Sequence, residues 1–297
     1  MSLPRIGFIG IGKMGAPMAR RLLAAGYSVT AHDLRTEAVG AIEPDRANAA
    51  GSPAGVASRA DAIITMLPDG RAVEQVVYGE DGLLEGMRRG QILLEMTSSS
   101  PAVTRRVAAD LSAKGVRVLD APVSGGVRGA IDGTLCIMAG GPAEILDACR
   151  PILEHLGRDI VHVGDAPGDG DTAKTINNLL SATAIWSAIE AVVLGAKAGL
   201  APDRLLAAVN RSTGRSYTTE TKFDRYILPR DFTAGFTVGQ YLKDLNICLG
   251  LADEISAPML LGSAVRQAWL AAAREGMADL DHTALVTLME RWMGAVI

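Results

Sequence analysis

Lys174, Asn177 and Asn178 stand where a polar loop gives way to an apolar helix. The run is GDGDTAKTINNLL (168–180), followed by SATAIWSAIEAVVLGAKAGL. On a helix Lys174 and Asn178 are four residues apart and share a face, with Asn177 beside them. A lysine partly withdrawn from water loses its proton near neutral pH, as a general acid or base must. The same spacing also suits a solvated lysine in a first helical turn, and spacing alone does not separate the two. Other proton-transfer groups are scarce. There is no YxxxK, and His32, His155, His162 and His282 are scattered without an HExxH or an evident acidic partner. No metal site is expected.

A second constellation lies at the start of the chain. Gly10-Ile11-Gly12-Lys13-Met14-Gly15 follows the aliphatic run IGFIG and precedes the helical pattern APMARRLLAAG. A GxGxxG alone is weak evidence, but strand before and helix after are the context it requires. Gly10 permits the tight turn, Gly12 lets backbone approach a pyrophosphate, and Gly15 lets helix pack on strand. The helix start then offers amides and dipole to the phosphates. Asp33, about 20 residues past the last glycine, is placed to accept ribose hydroxyls. Asp33 and Leu34 favour NAD, since a carboxylate repels a 2′-phosphate; Arg35 argues the other way, so NADP stays open.

The elements that must position these groups change character along the chain. IGFIG (6–10), YSVTAHD (27–33), AIITML (62–67), QILLEM (91–96), VRVLDA (116–121), TLCIMAG (134–140) and DIVHVG (159–164) read as strands. Amphipathic segments such as AVTRRVAADLSAKG (102–115) lie between several of them, which argues for a doubly wound parallel sheet. After Gly164 the pattern is helical. We therefore expect an α/β domain over 1–164 and an all-α domain over 165–297. A helix from 170 to 198, about 44 Å long at 1.5 Å per residue, would carry Lys174 at the junction and place the reaction there.

Composition excludes several classes. The 297 residues are 48% hydrophobic and 4% aromatic, and the formal charge is −4. That is ordinary for a two-domain enzyme and gives no basic footprint for nucleic acid. Cys136, Cys149 and Cys248 form no CxxC pair, so buried reduced thiols are expected. The start MSLPRIGFIG has no signal-peptide pattern, and a cytoplasmic protein is expected. Residues 179–200 approach membrane-spanning length, but Glu190 and Lys197 interrupt them, and a buried soluble helix is the expectation.

With these segments in order, the chain resembles the β-hydroxyacid dehydrogenases, the family of 3-hydroxyisobutyrate dehydrogenases and tartronate semialdehyde reductases. IGFIGIGKMGAPMARRLLAAGY, DAPVSGGVRGAIDGTL (120–135), GDGDTAKTINN (168–178) and YLKDLNICLG (241–250) carry the resemblance, which spans essentially the whole chain. It implies a Rossmann-type domain joined by a long interdomain helix to an all-helical domain, in a homodimer or homotetramer. It implies NAD-dependent interconversion of a small β-hydroxy acid and its semialdehyde or keto form. Lys174 would be the general acid/base and Asn178 would hold the substrate. Ser124, Gly125 and Gly126 would bind its carboxylate, Leu67, Pro68 and Thr97 would touch the cofactor, and Lys243 would stand near both; as a plain surface lysine it would instead pair with Asp244. Relatives that reduce imines tend to replace the lysine, 6-phosphogluconate dehydrogenases are much longer, and non-catalytic chromatin-associated relatives lack the lysine. Asp169 and Asp171 make the loop before Lys174 more acidic than the family pattern, either raising the lysine's pKa or facing solvent. Arg215, in RSTGRS (211–216), would point to a second anionic or polyhydroxylated substrate group if it reached the substrate.

Overall fold

The computed structural model describes residues 3–42 and 47–297. The chain divides into two compact units, Met1–Lys174 and Thr175–Ile297. Among the described residues the first unit has nine strands: β1 (Ile6–Ile9), β2 (Val29–His32), β3 (Ala47–Ala49), β4 (Ala62–Thr65), β5 (Ile92–Glu95), β6 (Arg117–Asp120), β7 (Val123–Ser124), β8 (Leu135–Gly140) and β9 (Gly157–Gly164). Their order is β3-β2-β1-β4-β5-β6-β8-β7, with β9 also on β8. Strands β1 to β6 run parallel; β8 is antiparallel to β6 and β7 and parallel to β9.

The central strands are apolar without interruption because both faces are covered. Successive side chains alternate between two cores. Ile6, Phe8, Ile64 and Leu94 enter one, while Ile9, Ile63, Leu93 and Val118 enter the other. Strand order reverses between β1 and β4, and in such sheets the crevice at the carboxyl ends beside that reversal is where ligands bind. All seven strands expected from the sequence are present, within a few residues at their ends. β3 and β7, three and two residues long, are too short to show a period.

The second unit is helical. Helix Asp169–Lys197 begins in the first unit and continues into the second. Its length and apolarity would suffice to cross a membrane, but Ala182, Ile185, Ile189, Val192 and Val193 are packed in the second unit's core with Phe223, Leu245 and Trp269. Helix Val238–Glu254 starts at a capping box in which Thr237 Oγ1 accepts from Gln240 N–H and Gln240 Oε1 accepts from Thr237 N–H. Loop 211–216 leads into a ten-residue π-helix, Thr218–Ile227, which nothing in the sequence announces. The three thiols are free. Cys149 and Cys248 are buried as expected, whereas Cys136 is only partly so.

Candidate active site

The glycine loop follows β1 at the point of reversal. Gly10 has φ +98°, and a Cβ there would collide with Met66 O. A Cβ on Gly15 would collide with Gly10 O, so helix Gly15–Ala24 touches the loop through bare backbone. Gly12 has nothing within 4 Å of where its Cβ would be. That open space beside free backbone is what a pyrophosphate needs, and the residues present fit a dinucleotide. Asp33, just past β2, accepts from Ile11 N–H at 2.7 Å and from Arg35 N–H at 2.9 Å. Arg35 Nε also lies 3.4 Å from it. The carboxylate thus steadies the loop it faces. Leu34 beside it is 84% exposed, and Lys13 is exposed too.

Leu67 and Pro68 follow β4, and Thr97 follows β5. Thr97 is fully buried, and its Oγ1 accepts from Leu67 N–H at 3.0 Å. It fixes the backbone of Leu67. Behind it sits Glu95, whose Oε1 accepts from Thr97 N–H at 2.9 Å and from Thr65 Oγ1 at 3.3 Å. Burial, and then the neighbouring Asp171 carboxylate, push Glu95 well above the usual carboxylate range. Its Oε2 is buried without a partner.

Two further buried acids fasten the start of the long helix. Asp120, at the end of β6, accepts from Gly168 N–H at 2.8 Å and from Asp171 N–H at 2.9 Å. It is a carboxylate bound to the free amides of a helix N-terminus. Burial raises it to about 6, against the opposing pull of those amides. Asp171 accepts from Ser99 N–H at 3.1 Å and from Thr104 Oγ1 at 2.6 Å. Asp171 is therefore buried, while Asp169 stays part-exposed and accepts from Ala166 N–H at 3.0 Å. Lys174, one turn after Asp171, is 8% exposed. The position of its backbone relative to the sheet is set by Asp120 and Asp171.

The buried acids carry a pH signature. Folded protein keeps a proton on Glu95 that the unfolded chain releases near the ordinary value of 4.5. Its stabilising effect is full below that value and is lost as pH rises toward the folded pKa. Glu95→Gln is a neutral isostere that keeps the acceptor for Thr97. We expect the wild-type melting temperature to fall as pH rises above the ordinary carboxylate range and the variant's to fall less steeply. Parallel melting curves from pH 6 to pH 9 for both proteins would show that Glu95 is not the source.

Ser124 ends β7, and Gly125 and Gly126 follow with φ +130° and +63°. Positive φ at two successive positions suits glycine, which has no Cβ to clash. A Cβ on Gly126 would meet nothing within 4 Å.

In the second unit, Asn178 is 6% exposed and donates Nδ2–H to Asp244 Oδ2 at 2.5 Å. Its Oδ1 accepts from Asn177 Nδ2 at 3.1 Å. Thr175 Oγ1 donates to Asp244 O at 3.3 Å. Lys243 Nζ lies 3.2 Å from Asp244 Oδ1, so the lysine does pair with its neighbour. Asp244, 3% exposed, holds Asn178 and Lys243 together. Sequence reasoning missed Glu95, Asp120 and Asp244 as functional supports. Asp120 and Asp244 sit inside DAPVSGG and YLKDL, which was the available signal; Glu95 had only its place at a strand end.

The comparisons with known proteins show the family. Residues 5–164 match the model described as the NAD binding domain of 6-phosphogluconate dehydrogenase. Residues 168–289 match the NAD-binding model of NADP-dependent 3-hydroxyisobutyrate dehydrogenase. The chain belongs to the β-hydroxyacid dehydrogenase family. It is 38% identical to the 2-(hydroxymethyl)glutarate dehydrogenase of Eubacterium barkeri, over 99% of this chain and 97% of that one. It is 37% identical to a 3-hydroxyisobutyrate dehydrogenase of Pseudomonas aeruginosa, over 94% and 95%. The solved Mycobacterium tuberculosis 3-hydroxyisobutyrate dehydrogenase with L-serine superposes with a TM-score of 0.90 at 32% identity, covering 97% and 99%.

Proposed function

We propose that the protein is an NAD-dependent dehydrogenase interconverting a small β-hydroxy acid and its semialdehyde or keto form. The observation that carries the reading is Lys174, a buried amine on a helix start tied down by Asp120 and Asp171. Bound NAD supplies the hydride acceptor. The protein's own part is position and proton transfer. Neutral Lys174 takes the proton of the substrate hydroxyl as the carbinol hydride leaves, and returns it in the reverse direction. Asn178, oriented by Asp244, holds the substrate. Ser124 and the amides of Gly125 and Gly126 receive its carboxylate, and Lys243 adds positive charge. Residues 1–164 serve the cofactor, with contacts from Gly10 to Gly15, Asp33, Leu67, Pro68 and Thr97. Residues 165–297 serve the substrate and assembly. Exposed Leu180, Leu194, Leu260 and Leu261 suit burial in a homodimer or homotetramer. The protein would work in the cytoplasm.

Turnover separates this reading from its rivals. NADH formation from a panel of small hydroxy acids is expected; NADH binding with no turnover on any acid would favour a non-catalytic module, and reduction of cyclic imines alone an imine reductase. On the cofactor, NAD should be preferred over NADP, and Asp33→Ala should narrow the gap by about tenfold, a change of about 1.4 kcal/mol. A wild-type preference for NADP in steady-state kinetics would make Arg35 the 2′-phosphate ligand instead.

A further inference from the structure

We infer that Lys222, held between Tyr217 and Tyr226, receives a second carboxylate of the substrate, so that the preferred β-hydroxy acid is a dicarboxylic one. The inference rests on the proposed function and names its substrate class.

The π-helix makes the arrangement. In an α-helix Tyr217 and Lys222 would point about 140° apart. With i→i+5 bonding, residues four and five apart fall on one face, so Tyr217, Lys222 and Tyr226 form a column. Lys222 Nζ lies 5.6 Å from the Tyr217 ring centre and 5.3 Å from that of Tyr226. Two ring faces attract the ammonium, but they offer its N–H groups no oxygen. Among the described residues Lys222 makes no hydrogen bond and no ion pair. Asp281 acts on it only through space, and burial lowers its pKa. The amine has shed much of its water and keeps donors unspent. Tyr217, 66% exposed, leaves one side of the column open to solvent. An extended π-helix is rare and concentrates at functional sites.

The column is linked to the residues read as substrate-binding. Phe223 and Ile227 of the π-helix pack in one core with Tyr241, and the Tyr241 hydroxyl is 2.8 Å from Ser181 Oγ. Ser181 lies one turn beyond Asn178 on the long helix, and Tyr241 lies one turn before Asp244 on its own. An acid held at Asn178 by its reacting end would direct a distal group along this line. The sequence pointed to Arg215 for such a group. Arg215 is exposed on loop 211–216, while Lys222 is held between two tyrosine rings.

The test compares 3-hydroxyisobutyrate, with one carboxylate, and 2-(hydroxymethyl)glutarate, with two, on wild type, Lys222→Met and Lys222→Arg. Wild type should prefer the diacid. Lys222→Met should lose about 10- to 100-fold in kcat/KM on the diacid, the worth of one charge-assisted contact, and change less than about twofold on the monoacid. Lys222→Arg should retain most of the preference. Equal losses on both acids, no loss on either, or a wild-type preference for the monoacid would overturn the inference. Glutarate binding by titration calorimetry, with isobutyrate as control, gives a readout without turnover. If no acid of the panel is oxidised by wild type, the proposed function fails, and loss of glutarate binding in Lys222→Met still supports Lys222 as the carboxylate anchor. Retained glutarate binding in that variant overturns it.

Discussion

Lys174→Ala is expected to lower kcat by about 10²- to 10⁴-fold, the usual worth of a general acid or base. NADH affinity should stay within a few-fold, because Asp33 fastens the glycine loop through Ile11 N–H and Thr97 fastens Leu67. The fold should survive, since Asp120 and Asp171 anchor the helix start through groups that the substitution leaves in place. Single-turnover rates together with NADH titration check this. A variant that turns over at a near-normal rate would remove the lysine from the chemistry. One that fails to bind NADH would mean its role is structural.

The second large effect divides two glycines three residues apart. Gly15→Ala forces a methyl into Gly10 O, backbone against backbone. Such overpacking should cost about 3 kcal/mol or more and depress the melting temperature of the free protein. Gly12→Ala meets nothing within 4 Å in the free protein. It should melt as wild type does, yet bind NADH at least tenfold more weakly, because the methyl fills the approach to the pyrophosphate. Thermal melts and NADH titrations on both variants decide it. A stable Gly15→Ala, or a Gly12→Ala with undiminished affinity, would contradict the packing described.

Much of this was legible in the sequence, for physical reasons that differ by element. The central strands announce themselves because a doubly covered sheet demands unbroken aliphatic runs, as in IGFI and AIIT. The glycine loop is legible because only glycine tolerates the backbone contacts at positions 10 and 15. The long helix was expected at 170–198 and lies at Asp169–Lys197, since few breakers interrupt it. Burial of polar residues was harder to read. Asp171 reads as a solvated loop acid until Thr104, 67 positions away, proves to be its partner. Glu95 is buried by the elements stacked around it, which no local pattern encodes. The π-helix was invisible because TTETKFDRYI has ordinary helical composition, and its bonding register is a property of the backbone. Hence Lys222 carried no signal: its neighbours on the column are set by that register.

The most direct test of the account is kcat/KM, followed by NADH formation, for one β-hydroxy acid, its methyl ester and its α-hydroxy isomer. In the proposed arrangement, with the carboxylate at Ser124, Gly125 and Gly126 and the reacting oxygen at Lys174, hydride transfer needs the carbinol carbon about 3 to 3.5 Å from its acceptor, which leaves little latitude in where the hydroxyl sits. The account predicts that the free β-hydroxy acid exceeds both other compounds by at least about tenfold. An ester that reacts as well as the acid would contradict the proposed carboxylate site, and a better α-hydroxy isomer would contradict the assigned reaction.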